Sequence, residues 1–403
     1  MSYFYNKKLR RSILILYILS FISSTFRGIF YGVGSNFYTS ALGLEKSDVF
    51  FIKIFNPIII ILFEMPTGFF GDRKSRKFNY IVSNILCGIS FFIYYMAATL
   101  EHCIAAEIIY SLSLAFFTGS INSLVISEMR NDGESKESIA KVISNKLTIV
   151  SLGSVLGGTS GILIYRKYSG LYWLIGSIGV LLNGIIAFFI LEENKDTNDT
   201  PKLKGQISED KKGRPLNHNL LVMISLAFGV YIINSTFYNY WSIYLPDELG
   251  IPLRSNEYIV VYLTFMSLLA IGNRLSLKAS KLIGKYNNLS LSTYLMFMTI
   301  IMMLSTSYAP LAICAFFASE FFRGLRSSAF VSIFNENSEN ENRSFNTSAL
   351  STAQKFSSAL GLFIVPMLSR KLEISTARSI AFLAIFSMFI TFIGMRLLQK
   401  KES

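Results

Sequence analysis
The amino-acid sequence predicts an all-α membrane protein of twelve transmembrane helices, grouped as two bundles of six. Three observations carry that expectation. The 403 residues are 52% hydrophobic and only 16% charged, whereas soluble domains carry about 25% charged residues. Apolar runs of roughly 18–25 residues recur along the whole length, each long enough to cross a hydrocarbon core of about 30 Å. One long polar segment, EENKDTNDTPKLKGQISEDKKGRPLNHN, separates six of those runs from the other six. Its Lys, Asp, Asn and Gly content suits a flexible linker.

In chain order the spans fall at about 12–36, 49–70, 78–98, 104–127, 140–165, 171–191, 217–245, 256–275, 289–307, 310–334, 346–369 and 376–398. The first follows Lys7, Lys8, Arg10 and Arg11 and runs past Arg27 with no small-residue cleavage pattern, so it reads as a retained helix rather than a signal peptide. Residues 1–191 then form an N-terminal six-helix bundle, 192–216 a cytoplasmic linker, and 217–403 a C-terminal six-helix bundle.

A net charge of +13 would suit a nucleic-acid partner, but its distribution argues against one. With the N-terminus in the cytoplasm, 25 of the 38 Lys and Arg side chains fall in inner loops and tails and 7 in outer loops. That is the bias that orients multi-pass proteins. The charge is a topology device, and both termini are expected in the cytoplasm. Cys87, Cys103, Cys314, His102 and His218 show neither metal-ligand spacing nor a disulfide framework. No metal or cofactor is expected.

The most informative stretch is EMPTGFFGDRKSRK, Glu64 to Lys77, a dense charge cluster between two apolar runs. Within it GFFGDRKSRK resembles the signature between helices 2 and 3 of the major facilitator superfamily, roughly G-x-x-x-D-R-x-G-R-K. It matches at Gly68, Asp72, Arg73, Arg76 and Lys77, with Ser75 where glycine is usual. The preceding EMPT resembles a variant found in bacterial members. The resemblance implies pseudo-symmetric bundles, transport by alternating access across a bacterial inner membrane, and a cytoplasmic latch made of Glu64, Gly68, Asp72, Arg73, Arg76 and Lys77. In that latch Gly68 lets another helix approach closely, and Asp72 faces the positive N-terminal end of a helix in the other half. The bases anchor the loop at headgroups and pair with acids. A topology anchor without a gating role is the alternative.

A second resemblance lies in the fifth span, SNKLTIVSLGSVLGGTSG. Gly153, Gly157 and Gly161 fit the pattern G-x8-G-x3-G-P-x2-G of exporters in the superfamily, with Ser144 replacing the first glycine and Gly158 the proline. Generic close helix packing explains the same glycines. Many proton-driven exporters also carry an arginine four residues before a glycine in helix 4; here Ala115 stands four before Gly119. Any proton coupling must use other residues.

Ionisable groups inside a membrane are costly unless paired or hydrated, so each is a candidate functional group. In the first span Ser20, Ser24, Arg27, Tyr31 and Ser35 share one face at helical spacing. Glu107, Ser111, Thr118 and Asn122 do so in the fourth, and Tyr231, Asn234, Tyr238 and Trp241 in the seventh. The tenth carries Glu320, Arg323 and Arg326, and the eleventh Ser351, Lys355 and Ser358. In the resembled fold helices 1, 4, 7 and 10 line the central cavity. Arg27, Tyr31, Asn122, Asn234, Tyr238, Trp241, Arg323, Arg326 and Lys355 are therefore the expected substrate contacts, and Glu107 and Glu320 the expected proton carriers. Glu320 and Arg323, three residues apart, are equally placed to neutralise each other. Lys146 and Glu128, near cytoplasmic helix ends, read as snorkelling or locally paired groups. Cations outnumber acids in mid-span, so the expected substrate carries an anionic group on an aromatic or apolar body.

The sequence thus points to a non-enzymatic secondary active transporter of a small organic molecule, monomeric and surrounded by lipid. An ion gradient, of protons or another ion, would drive it, since no G-x-x-x-x-G-K-[ST] loop is present. Proton-coupled efflux is the expected mode, and proton symport importing an organic anion the alternative. A membrane-embedded enzyme would want a His, Asp or Ser constellation, and His102 and His218 fall on opposite predicted sides. A non-transporting sensor would have no use for an intact Asp72 latch.

Overall fold
The computed structural model of the chain describes residues 7–73, 75–118, 120–192, 218–337 and 343–399. Among them are thirteen α-helices, one π-helical turn and no strand: α1 (Lys7–Arg27), the turn (Phe37–Ala41), α2 (Lys46–Arg73), α3 (Arg76–Met96), α4 (Leu100–Phe117), α5 (Ser120–Asn131), α6 (Lys136–Lys167), α7 (Leu171–Ile190), α8 (His218–Leu249), α9 (Asn256–Ile283), α10 (Lys285–Ser305), α11 (Ala309–Asn337), α12 (Arg343–Leu372) and α13 (Thr376–Gln399). They cover the twelve expected spans, with α4 and α5 together making the fourth. Ten of the helices are long and apolar enough to cross a membrane. Helices α11 and α12, at 29 and 30 residues, are as long but carry the polar mid-span residues singled out above. Many large apolar side chains face outward, such as Leu282, Met65 and Phe189. That surface suits hydrocarbon rather than water, since only helices with internally satisfied backbones survive in lipid.

Two expected spans are not continuous. The first was expected to run as one helix through residue 36, but α1 ends at Arg27 and residues 28–35 form turns. Glycines at 28, 32 and 34 explain the break, and Gly34 takes a φ of +56°, which an L side chain adopts only with strain. The polar stripe therefore ends at Arg27; Ser35 lies beyond the helix. The expected fourth helix is interrupted at Thr118, whose ψ of 123° leaves the helical region. There the hydroxyl of Thr118 donates to the Leu114 carbonyl (3.0 Å) and that of Ser120 to the Phe117 carbonyl (2.8 Å). Such side-chain bonds compete with the helical ladder.

The serine that replaces glycine in the 68–77 motif has a local role. Ser75 is the N-cap of α3, and its hydroxyl accepts from the Phe78 N–H at 2.9 Å. Capping by Ser relieves one of the orphan amides at a helix start, typically for about 1 kcal/mol.

The chain divides into two compact units, one of Met1–Val33 with Ile59–Pro215 and one of Gly34–Ile58 with Leu216–Ser403. Within the first, α1 packs on α5, α6 and α7, and α3 on α4, α5 and α7. Within the second, α8 packs on α11, α12 and α13, and α10 on α9, α11 and α13. Apart from the contacts of α9, equating α1 with α8, α3 with α10, α4–α5 with α11, α6 with α12 and α7 with α13 reproduces one pairing scheme from the other, the mark of a duplicated six-helix design.

Glycines set the closest helix approaches. A Cβ built on Gly153 or Gly157 of α6 would overlap α1, and one on Gly161 would overlap Ile29 just past it: at Gly157 it would lie 2.0 Å from the Thr25 carbonyl oxygen. In the second unit Gly272 of α9 and Gly324 of α11 face each other's backbones in the same way. Without a hydrophobic drive between helices in lipid, such backbone contact supplies the dispersion energy that holds them together.

Candidate functional site
In the first unit the site is built around a buried cation. Arg27 ends α1, only 5% exposed, and its Nη2 donates to the Ser83 carbonyl (3.0 Å) and Ser83 Oγ (2.7 Å) on α3. Its Nη1 donates to Ser113 Oγ on α4 (3.4 Å), and the guanidinium lies 4.5 Å from the centroid of Phe117. Among the described residues no carboxylate pairs with it. A buried charge without a counter-ion needs other support. Here that comes from two hydroxyls, a ring face, and the carbonyl ends of two helices, since Arg27 sits in the last turn of α1 and Phe117 is the last residue of α4. The Nε of Arg27 still has no acceptor.

Glu107 on α4 is also buried, and accepts from the Tyr94 hydroxyl at 2.5 Å. Tyr94 stacks on Trp173 at 4.4 Å, within an aromatic cluster that includes Phe30, Phe91 and Tyr110. Tyr31, just past the break in α1, is 42% exposed and touches Phe30 edge-on. Of the other expected members of the fourth-span face, Ser111 is buried, Thr118 is exposed at the interruption, and the Asn122 side chain lies outside the described residues.

In the second unit Glu320 and Arg323 of α11 form an ion pair, with Glu320 1% exposed. Of the two readings left open by their spacing, mutual neutralisation is present in this structure. Arg323 also lies over Tyr238 of α8 (4.1 Å) and Phe265 of α9 (5.8 Å). Arg326, one turn on and 4% exposed, lies over Phe330 at 5.3 Å. Neither Nε has an acceptor. Trp241, expected at the substrate, is 4% exposed and enclosed by Tyr258, Tyr262, Phe265 and Phe316, with centroids 5.2–6.3 Å away. It stacks on Phe265, the ring that also lies near the Arg323 guanidinium. Asn234 and Lys355 are half-buried on α8 and α12.

The start of α2 and the end of α8 are joined within the second unit. Ser242 Oγ accepts from the Ser35 N–H (2.9 Å), its carbonyl accepts from Asn36 Nδ2 (3.0 Å), and Lys46 pairs with Asp247 (2.9 Å) and Glu248 (3.8 Å).

At the expected latch, the side chains of Asp72 and Arg73 lie outside the described residues. Glu64 and Arg76 are half-buried, and Lys77 Nζ donates to the Leu191 carbonyl (2.6 Å), tying the start of α3 to the end of α7. Among the described residues, a Cβ built at Gly68 meets nothing within 4 Å. Among the described residues the buried charged groups are Arg27 on α1, Glu107 on α4, and Glu320 and Arg326 on α11. Their partners Ser83, Ser113 and Tyr94, and Phe265 beside Arg323, were not foreseen. Serines and aromatics are too common in apolar spans to stand out, and tertiary contact alone selects these four.

Residues 16–362 match the family model of the Major Facilitator Superfamily. The uncharacterized MFS-type transporter YxaM of Bacillus subtilis (strain 168) is 28% identical over 303 residues, 72% of this chain and 73% of that protein. Among solved structures, nucleoside transporter NupG aligns over 96% of this chain and 99% of its own at 14% identity, with a TM-score of 0.74. A bacterial homolog to the human lysosomal transporter Spinster aligns over 98% of both chains at 14% identity, with a TM-score of 0.74. A mutant of the peptide transporter POT in complex with sulfate covers 99% of this chain and 96% of its own at 9% identity, with a TM-score of 0.76. At these identities the structural likeness speaks to the fold alone.

Proposed function
The chain belongs to the major facilitator superfamily, and on that premise we propose that it carries a small organic anion with an aromatic or apolar body, coupled to protons. The observation that carries this is a set of three guanidinium groups, buried Arg27 and Arg326 and half-buried Arg323, each on an aromatic ring and each with an Nε–H that lacks an acceptor. Buried donors are rarely left unused. A planar carboxylate beside a ring is the ligand that guanidinium forks and aromatic faces jointly suit.

Coupling follows from the Glu320–Arg323 pair. A proton on Glu320 removes the charge that holds Arg323, and the freed guanidinium takes the carboxylate of the substrate. Proton and anion then arrive together and leave together, adding no net charge to a low-dielectric site. This is symport, and an inward proton gradient drives import. Export in exchange for protons remains a second reading, favoured by the exporter-like row Gly153, Gly157 and Gly161; in it Glu107, held by Tyr94, is the proton carrier. The rest of the proposal is a monomer in a bacterial cytoplasmic membrane with both termini inside, working by alternating access of two bundles, 1–191 and 217–403, joined by a linker. The Glu64–Lys77 latch engages in the state that closes the cytoplasmic side, and Gly68 meets its partner helix only then.

Proteoliposomes under an imposed pH gradient test this with a panel of aromatic carboxylates. Concentrative uptake that follows the inward gradient is expected. In Glu320→Gln the gradient dependence is lost while exchange of labelled for unlabelled substrate persists. Movement of lipophilic cations alone, unaffected by Arg27→Ala, overturns the reading; right-side-out against everted vesicles separates import from efflux.

A further inference from the structure
The same hydrogen-bonding device stands beside a guanidinium group in each unit. In the first, Thr67 Oγ1 of α2 donates to the Ala115 carbonyl of α4 (2.9 Å), and Asn79 Nδ2 of α3 donates to the Thr67 carbonyl (2.8 Å). In the second, Ser276 Oγ of α9 donates to the Leu325 carbonyl of α11 (2.7 Å), and Asn288 Nδ2 of α10 donates to the Ser276 carbonyl (3.2 Å). Each asparagine stands 12 residues after its hydroxyl partner, and all four residues are buried. The acceptors fall at the cations. Ala115 lies between Ser113, which accepts from Arg27, and Phe117, whose ring Arg27 overlies. Leu325 lies between Arg323 and Arg326. Ala115 is also in the last turn of α4, where carbonyls lack donors from their own helix. Gly71 makes room for the first device, since a Cβ there would lie 2.5 Å from Asn79 Nδ2. In the second, Ser280 takes the corresponding place, and its Oγ accepts from Asn288 Nδ2 (2.9 Å).

We propose that Thr67 and Ser276 are positioning residues for anion binding: each hydroxyl fixes a carbonyl of α4 or α11 and so sets where the neighbouring guanidinium stands. That role presupposes that Arg27, Arg323 and Arg326 take the anion of the substrate. The physical link is contiguous within each unit. In the first it runs from Asn79 through Thr67 to the turn of α4 that bears Ser113 and Phe117. The α2–α3 pair, which carries the 68–77 motif, therefore shifts together with the ring beneath Arg27. The Thr67 hydroxyl has one proton and three carbonyls in reach: Ala115, and on its own helix Phe63 (2.8 Å) and Glu64 (3.2 Å). It can release α4 without losing a partner, so the contact is reversible.

The test uses the full chain in proteoliposomes, with the aromatic carboxylate that the wild type takes up best from the panel above. Thr67→Val keeps the shape and loses the hydroxyl; it is expected to raise KM about tenfold with little change in maximal rate, and Thr67→Ser to restore KM. Ser90→Ala is the control. It removes a like bond to α4, from Ser90 Oγ to the Ala106 carbonyl (2.8 Å), about two turns before Ser113, and should leave KM at the wild-type value. A readout independent of substrate is Cys87 of α3, buried beside Arg27 and Ser113. With Cys103→Ser and Cys314→Ser in place, its alkylation by N-ethylmaleimide in the folded protein should quicken about tenfold in Thr67→Val and return to the wild-type rate in Thr67→Ser. Gly71→Ala, which displaces the Asn79 amide, should act in the same direction and decides the matter if the valine variant misfolds. A wild type that moves no aromatic carboxylate sinks the anion reading, and the Cys87 rate then decides the positioning role alone. KM and Cys87 labelling both unchanged in Thr67→Val, or changed as much by Ser90→Ala, overturn the proposal.

Discussion

Replacing Gly157 with alanine tests the α1–α6 seam directly, because two physical terms of opposite sign compete there. Alanine is the better helix former, which favours the variant by about 1 kcal/mol. Against this, the new Cβ would sit 2.0 Å from the Thr25 carbonyl oxygen and 2.9 Å from its carbon. Real Cβ atoms keep at least 3.0 Å, so the helices must part by about 1 Å. The obstructing atoms are backbone, with no rotamer to escape into. Overpacking of this kind costs about 3 kcal/mol at the upper end of the usual range, and the separation also loosens the contacts of Gly153 and Gly161. The net loss is about 2 kcal/mol, or about 4–8 °C in unfolding temperature for a unit of this size. Gly68→Ala is the matched control: with nothing within 4 Å, only the propensity term acts, and the variant should unfold at the wild-type temperature or slightly above. Thermal unfolding followed by tryptophan fluorescence reads both, since Trp173 lies in the same unit. A Gly157→Ala protein as stable as wild type, or a Gly68→Ala protein less stable, would refute the reasoning. Under the latch proposal Gly68→Ala should slow transport while leaving stability intact.

Three further expectations follow from the site. Arg27→Lys should lose about tenfold or more in transport rate, like Arg27→Gln, because an ammonium cannot bridge Ser83 and Ser113 while lying flat on Phe117; full activity in the lysine variant counts against that geometry. Tyr238→Phe should keep most of the substrate affinity, whereas Tyr238→Ala should lose about 1–2 kcal/mol with the ring face under Arg323, as measured by substrate binding in detergent. Lys46→Gln should destabilise by less than about 1 kcal/mol, because the pairs with Asp247 and Glu248 are part-exposed. The difference from wild type should vanish in about 1 M salt, and a larger, salt-independent loss would show that these pairs are not the cause.

The spans and their number were legible in the sequence because a bilayer imposes a minimum apolar length. The buried charges were legible because lipid makes each of them conspicuous. Continuity was not. Helical spacing put Arg27, Tyr31 and Ser35 on one face only if the helix persisted, and the glycines at 28, 32 and 34 were the available sign that it did not. The break at Thr118 was harder to read, because threonine and serine are ordinary in membrane helices until their hydroxyls bond back to the chain. Trp241 looked like a ligand contact from its polar-tipped neighbours, but the surrounding rings come from α9 and α11, far away in sequence. Ser75 departed from the motif, yet its capping bond to Phe78 shows that the replacement has its own local logic.

The divided fourth span has a mechanical consequence. An unbroken rod over 100–131 could only tilt as a whole, and bending it would tear its ladder of hydrogen bonds. With Thr118 as an elbow, those bonds are already forgone, and the stretch from Ser120 to Asn131 can swing while the length ending at Phe117 keeps its grip beneath Arg27. The interruption thus lies one residue past Phe117, on whose ring the buried Arg27 guanidinium rests, so a small rotation there changes what the guanidinium faces.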